Sequence, residues 1–202
     1  MLTKMTLLRH GEPQNAHLLL GRTNPQLTAK GFEQMKARCS NAQYNRVITS
    51  PLIRCADFAT QYSAQNNTPL VIENRLQELD FGEWDGVALA ELWQMPTKAF
   101  ETYWHQPWHH IPPGGESTNA LLHRVSQLIH ELSIRFTGEH ILMITHSGVI
   151  RVILSWLLQG LQQGNAHLSR VELQHGASLS IGVFIDDEGT QWPQLIGLNN
   201  SP

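Results

Sequence analysis

The sequence predicts an α/β fold: a three-layer α/β/α sandwich with a mostly parallel sheet flanked by helices and a small helical lid inserted near its middle. Two observations carry this expectation. Short apolar runs alternate with helical patterns along the chain, the order that yields parallel strands covered on both faces. Several of those runs also stop at Arg, His or Ser beside a glycine or proline, as buried strands do where they deliver side chains to a loop.

Strand-like runs fall near residues 4–8, 46–49, 69–72 and 140–145. The first ends in Arg9-His10-Gly11-Glu12. Thr28 is placed to cap a helix that continues through Lys30–Cys39. The second run, Arg46–Thr49, stops at Ser50-Pro51, and a helical pattern follows with Arg54 in its first turn. Leu121, Leu122, Val125, Leu128, Ile129, Leu132 and Phe136 recur at intervals of three and four, which makes a long amphipathic helix with Ser117 as its cap. Ile141–Thr145 then runs into His146-Ser147-Gly148-Val149-Ile150-Arg151, again strand into helix. Two late runs, Ser178–Ile185 and Gln194–Leu198, are expected as antiparallel strands around a turn at Asp186–Thr190. No repeat, low-complexity stretch or linker interrupts the chain, so one domain over residues 1–202 is expected, with the lid at roughly 87–115.

Composition narrows the function classes. At 202 residues the chain can bury a substantial core without disulfides. Its only cysteines, Cys39 and Cys55, fit a reducing compartment. Neither begins a cysteine-phosphatase loop: Gln61 stands where Cys55 would need an arginine, and Arg46 comes one residue too late for Cys39. A net charge of -3 with no basic tract argues against a nucleic-acid partner. Met1–Thr6 leads straight into the first strand and no apolar run reaches membrane-spanning length, so a soluble cytoplasmic protein with no membrane partner is expected. Oligomeric state has no legible signal.

The chemistry-bearing residues cluster at strand ends. Arginine offers a fixed fork of donors that grips phosphate, and histidine is a nucleophile near neutral pH. Arg9, His10, Arg54 and His146 come from three separate strand ends, where open α/β sheets bind their ligands. Between the second and third of these lies a carboxylate-dense segment, Arg75-Leu76-Gln77-Glu78-Leu79-Asp80-Phe81-Gly82-Glu83-Trp84-Asp85-Gly86. In an extended chain Glu78 and Asp80 point the same way, so either could reach a ligand. Glu83 and Asp85 read as turn or surface residues.

Taken in order, these four segments resemble the signature motifs of the histidine phosphatase superfamily, the phosphoglycerate-mutase-like fold, and the resemblance runs from the first strand past residue 150. It implies a metal-independent phosphomonoesterase that needs no cofactor and takes a small-molecule phosphate monoester as substrate. His10 is then the nucleophile that forms a phosphohistidine, and Glu78, rather than Asp80, is the proton donor to the leaving group. Arg9, Arg54, His146 and the backbone amide of Ser147 hold the phosphoryl oxygens. One position departs from the pattern. The asparagine usual six residues after the histidine is replaced by Ala16, with Asn15 one place earlier and a short loop to Gly21-Arg22. Asn15 through a shifted turn, or Arg22 as a substitute donor, is expected at the phosphate. Pro113-Gly114-Gly115-Glu116-Ser117 also resembles these phosphatases, with Arg124 as a structural partner.

Chain length, the Leu79–Trp84 segment and the lid look most like the α-ribazole phosphatase branch, which acts in cobalamin nucleotide-loop assembly. Broad-specificity acid or sugar-phosphate phosphatases and phosphoglycerate-mutase-like enzymes are the nearby alternatives. A non-catalytic phosphate binder is the alternative of a different class, and the joint presence of Arg9, His10, Arg54, Glu78 and His146 argues against it. The lid holds Trp93, Trp104 and Trp108, whose rings either pack a small helical subdomain or stack on a flat leaving group. His105, His109 and His110 lack acidic or cysteine partners at ligand spacing, so no metal site is expected there.

Overall fold

The computed structural model describes residues 1–158 and 170–200. Its strands are β1 (Leu2–Arg9), β2 (Arg46–Thr49), β3 (Leu70–Ile72), β4 (His140–Thr145), β5 (Ser178–Ile185) and β6 (Gln191–Asn199). They form one sheet in the order β3-β2-β4-β1-β5-β6, in which β3, β2, β4 and β1 run parallel, β5 is antiparallel to β1, and β6 is antiparallel to β5. The four expected parallel runs and the late hairpin are all present. The last strand begins three residues earlier than its apolar run. The Asp186 carboxylate explains the extension, since it accepts the Glu188 and Thr190 amides within the turn and the Trp192 indole N–H just beyond it.

Side-chain alternation along the strands builds the three layers. Leu8, Val47, Leu142 and Ile144 pack with Met35 and Cys39 of α1 (Ala29–Cys39) and with Cys55, Phe58 and Ala59 of α2 (Ile53–Asn66). Met5, Leu7, Ile48, Ile141 and Met143 face the other way, onto α5 (Thr118–Arg135) and α6 (Ser147–Leu157). The expected caps are made: Thr28 Oγ1 accepts the Gly31 amide and Ser117 Oγ accepts the Ala120 amide. Helix α2 lacks such a cap of its own; the Asn24 side chain, from a distant loop, accepts its Ile53 amide at 2.7 Å.

This layering fixes where a ligand can bind. β1 and β4 are neighbours in register, with Arg9 opposite Thr145, yet the helices that follow them lie on opposite faces of the sheet. That divergence opens a crevice beyond the carboxyl ends of β1 and β4, the usual binding place in sheets of this kind. His10 and His146 are the first residues past those two ends.

The segment at 87–115 folds into two short helices, α3 (Leu89–Trp93) and α4 (Ala99–His105). Aromatic edge contacts join it to the core: Phe100 lies 5.5 Å from Trp84 and 5.1 Å from Trp93, and Tyr103 lies 5.6 Å from Trp84. Phe100 and Tyr103 are buried while Trp93 and Trp104 remain 46% and 39% exposed. Packing accounts for the inner rings and leaves the outer ones available. No helix among the described residues is long and apolar enough to cross a membrane.

Candidate active site

His10 is buried and held by two backbone bonds. Its amide donates to Thr145 O at 2.9 Å, the last rung between β1 and β4, and its Nδ1 lies 2.8 Å from Gly11 O. A carbonyl oxygen can only accept, so Nδ1 carries the proton and the lone pair of the neutral ring resides on Nε2. Burial, followed by the Arg54 and Arg9 guanidinium charges, holds this imidazole well below its ordinary pKa and keeps that lone pair free at neutral pH.

His146 caps α6 and lies edge-on to His10, with ring centroids 5.2 Å apart, close to the spacing of adjacent strands. Its Nε2 is 2.8 Å from Ser50 Oγ. Ser50 Oγ also accepts the Leu52 amide at 3.3 Å. In the tautomer that accepts the Ser50 O–H at Nε2, the proton sits on Nδ1, which is fully buried with no partner among the described residues. Burial, then the Arg54 charge, then competition with His10 for a proton, depress this histidine as well.

The two arginines show the same feature. Arg54 is completely buried, and its terminal nitrogens donate to the carbonyls of Thr23, Leu20 and Gly21. Arg9 donates through Nη1 to Leu173 O. In both, Nε is buried without a partner among the described residues. Three unsatisfied donors of this kind in one cluster would cost several kcal/mol together unless an anion accepts from them. Each guanidinium is also lowered by burial and feels the other as a like charge or shares His10 with it. The cluster suits a tetrahedral dianion.

Glu78 is the buried carboxylate beside this cluster. It accepts the amides of Leu79 and Gly148, each at 3.0 Å, and the Ser147 hydroxyl at 3.4 Å, which sets it at the N-terminus of α6. Its backbone is tied down from the far side by Arg124, which donates to the Glu78 and Arg75 carbonyls and forms a two-pronged pair with Glu116 at 2.8 and 2.9 Å. Asp80, the local competitor, accepts the Gly82 amide, and its side chain is 42% exposed.

Of the two loop substitutes, Arg22 lies between Gly21 and Thr23, whose carbonyls hold Arg54, and Asn15 lies further back in the same loop. Asn15 adopts left-handed backbone with φ 57° in an exposed turn, where its carbonyl accepts the Leu18 amide. No hydrogen bond from its side chain occurs among the described residues. Arg22 lies at 3.8 Å from Asp80, both side chains more than a third exposed. Three contributors have no sequence signal. Ser50 orients His146. Asp85, read as a turn or surface residue, accepts the amides of Gly21 and Thr23 at 2.8 and 2.7 Å and so shapes the loop whose carbonyls hold Arg54. His175 places its ring 5.8 Å from that of His10. Cys55 lies 3.7 Å from His146 Nε2, and burial pushes its thiol up to about 12, so it is no thiolate at neutral pH. His105, His109 and His110 lie exposed at the outer edge of the lid.

Beside Glu78 the crevice widens into an apolar cleft lined by Phe81, Tyr103, Trp104, Pro107, Leu121 and Arg151. A group leaving from phosphorus next to Glu78 would enter it.

The profile of the histidine phosphatase superfamily (branch 1) matches residues 5–192. The chain is 31% identical over 191 residues to the bifunctional protein Rv2228c of Mycobacterium tuberculosis, which covers 92% of this chain and 51% of that one. The chain therefore spans about half the length of that relative. It is 29% identical over 161 residues to the adenosylcobalamin/α-ribazole phosphatase of Escherichia coli, covering 77% and 79% of the two chains. The solved structure of mycobacterial glucosyl-3-phosphoglycerate phosphatase Rv2419c superposes over 100% of both chains with a TM-score of 0.85 at 19% identity, a likeness of fold.

Two outcomes are expected. A Cβ on Gly148 would meet Glu78 Oε1 at 2.2 Å, so Gly148→Ala must displace the carboxylate. Steady-state kinetics should show kcat reduced at least about tenfold with KM little changed, the pattern of a lost transition-state interaction; an unchanged kcat would mean that the position of Glu78 does not matter. The depressed histidines also link folding to pH. In the unfolded chain His10 and His146 bind protons below about pH 6.5, while in the folded protein they stay neutral to lower pH. The unfolded state thus holds more protons, and stability falls as pH drops below that point, by roughly 1 kcal/mol per pH unit per histidine. Denaturant unfolding at pH 7.5 and pH 5 should show the loss, and equal stability at both would contradict the neutral-histidine assignment.

Proposed function

Since the chain belongs to the histidine phosphatase superfamily, we propose that it is a phosphomonoesterase working through a phosphohistidine, and that its substrate is α-ribazole 5′-phosphate. The observation that carries the first part is the convergence of three buried, unpartnered donors, Arg9 Nε, Arg54 Nε and His146 Nδ1, around a histidine whose free lone pair is on Nε2.

Uncatalysed hydrolysis of a phosphate monoester is so slow that the site must remove on the order of 20 kcal/mol of barrier, most of it by positioning and by charge around the transferring group. Arg9, Arg54, His146 and the Ser147 amide hold the non-bridging oxygens. His10 Nε2 attacks phosphorus in line; the N–P bond forms as the ester P–O bond breaks, and Glu78 passes its proton to the departing oxygen. Water then enters, Glu78 takes its proton, the hydroxide oxygen bonds to phosphorus, and the N–P electrons return to Nε2 as inorganic phosphate leaves. Every group in this scheme belongs to the chain, so neither a metal nor a cofactor is required. Of the two loop substitutes, Arg22 is nearer the carboxylate segment and is the one assigned to an outer phosphate oxygen.

The second part rests on the cleft. Phe81, Tyr103 and Trp104 beside Glu78 offer aromatic faces to a flat base such as the dimethylbenzimidazole of α-ribazole. The Escherichia coli relative is named for that activity. One observation favours a second reading: Arg151 in the same cleft suits a leaving group with negative charge or many hydroxyls, as in a sugar phosphate.

The test is kcat/KM for α-ribazole 5′-phosphate, p-nitrophenyl phosphate and a sugar phosphate, all with EDTA present. A preference for the first of about a hundredfold, roughly 2.7 kcal/mol of transition-state discrimination, is expected. A preference for the sugar phosphate would select the second reading, and loss of all turnover in EDTA would contradict the metal-free scheme. Glu78→Gln should slow p-nitrophenyl phosphate least, since its leaving group needs no proton; an equal effect on all three would remove Glu78 as the acid.

A further inference from the structure

The mechanism above leaves one imidazole at the site without a task. His175 occupies the second position of a tight turn in which the Ala177 amide donates to Gln174 O at 3.0 Å. The third position, Gly176, has φ +78°, and a Cβ there would meet Gln34 Cβ at 3.1 Å, so glycine permits the turn. The turn is fastened to the end of β1: Gly176 N donates to His10 O, Arg9 N donates to Ala177 O, and Arg38 Nε donates to Gly176 O. The His175 ring is therefore held against the nucleophile by backbone bonds to the residues Arg9 and His10 themselves, with ring centroids 5.8 Å apart and planes inclined by 39°.

Its surroundings are those of a proton-accepting phosphate ligand. The charged and titratable groups that face it are Arg9 and His10 from β1 and its end, Glu12 from the loop beyond, and Lys30 from α1. Glu12 and Lys30 pair at 2.7 Å at the rim. The ring is half-buried, and no hydrogen bond to its side chain occurs among the described residues. Burial and then the Arg9 charge hold the imidazole down to about 4, against the pull of Glu12. A dianion accepted by Arg9 cancels the charge that opposes protonation and adds its own field in favour of it.

We propose that His175 is a third histidine of the phosphate site, which takes a proton from solvent as the dianion enters and then donates it to a phosphoryl oxygen. This rests on the phosphatase reading of the same site and adds to it a proton coupled to binding.

Sulfate is the probe, because it stays a tetrahedral dianion throughout the range where histidines titrate. Calorimetric titration of the full chain in two buffers of different ionisation enthalpy gives the protons taken up per sulfate bound. The wild-type protein should take up protons at pH 6, and His175→Gln, which keeps a polar side chain but cannot be protonated, should take up about half a proton fewer. The sulfate dissociation constant should rise about tenfold in the variant at pH 6 and less than about threefold at pH 8.5. Glu12→Gln, which removes the carboxylate favouring imidazolium, should reduce uptake in the same direction. An affinity loss equal at both pH values with unchanged proton uptake would mean a packing role and overturn the proposal. Unchanged binding in both variants would overturn it while leaving phosphatase turnover by the wild-type protein to stand. Failure of the wild-type protein both to bind sulfate and to turn over any phosphate monoester would overturn the phosphatase reading along with it.

Discussion

Two guanidinium groups and two imidazoles buried side by side are the constraint around which this protein is built. Like charges in a medium of low polarity repel strongly, and each must also give up its water. Arg9, Arg54, His10 and His146 meet because β1, β2 and β4 pair in register and end together. The two histidines respond by staying neutral, which is also the form a nucleophile and a hydrogen-bond donor with a fixed tautomer require. On the proposed function, what the folded chain forgoes in stability at this point is returned when a dianion accepts from the buried donors.

Much of the remaining structure exists to hold those groups in place. Asp85 gathers the Gly21 and Thr23 amides, the loop they belong to offers its carbonyls to Arg54, and Arg54 is thereby fixed without a carboxylate partner that would compete for its charge. Neutral carbonyls are the better choice here: they orient the guanidinium and leave its positive charge for the ligand. Glu78 is held in a comparable way. Arg124 spends its own charge on Glu116 and reaches Glu78 only through the backbone carbonyl, so the carboxyl of Glu78 is positioned without being neutralised by an ion pair. Thr145, the last residue of β4, adds a further tie by donating to Leu76 O just ahead of the acid.

The parts of this design that the sequence makes legible are those with a local cause. Arg9-His10 and His146 mark the points where apolar runs end, and Arg54 opens a helix just after another such end; strand periodicity and turn residues reveal all of them. Thr28 and Ser117 announce their helices through the capping preference of their hydroxyls. Glu78 is separated from Asp80 only by resemblance, because alternation places both on one side; in the fold Glu78 is 5% exposed and the Asp80 side chain 42%. Ser50, Asp85 and His175 act across 96, 64 and 165 residues of sequence respectively, on His146, Gly21 and His10. Nothing in their neighbourhoods reports such contacts. Asn15 stands in a left-handed turn, a backbone feature that its own sequence neighbourhood does not announce.

The account stands on a covalent bond between His10 Nε2 and phosphorus. The most direct measurement is rapid quenching of the wild-type protein with a phosphate monoester into alkali, followed by intact-mass and peptide mapping. The account predicts one phosphoryl group per chain at a rate at least equal to turnover, stable in alkali, released by acid and mapping to His10. Turnover at full rate with no phosphate ever found on the protein, or with the phosphate on another residue, would contradict it.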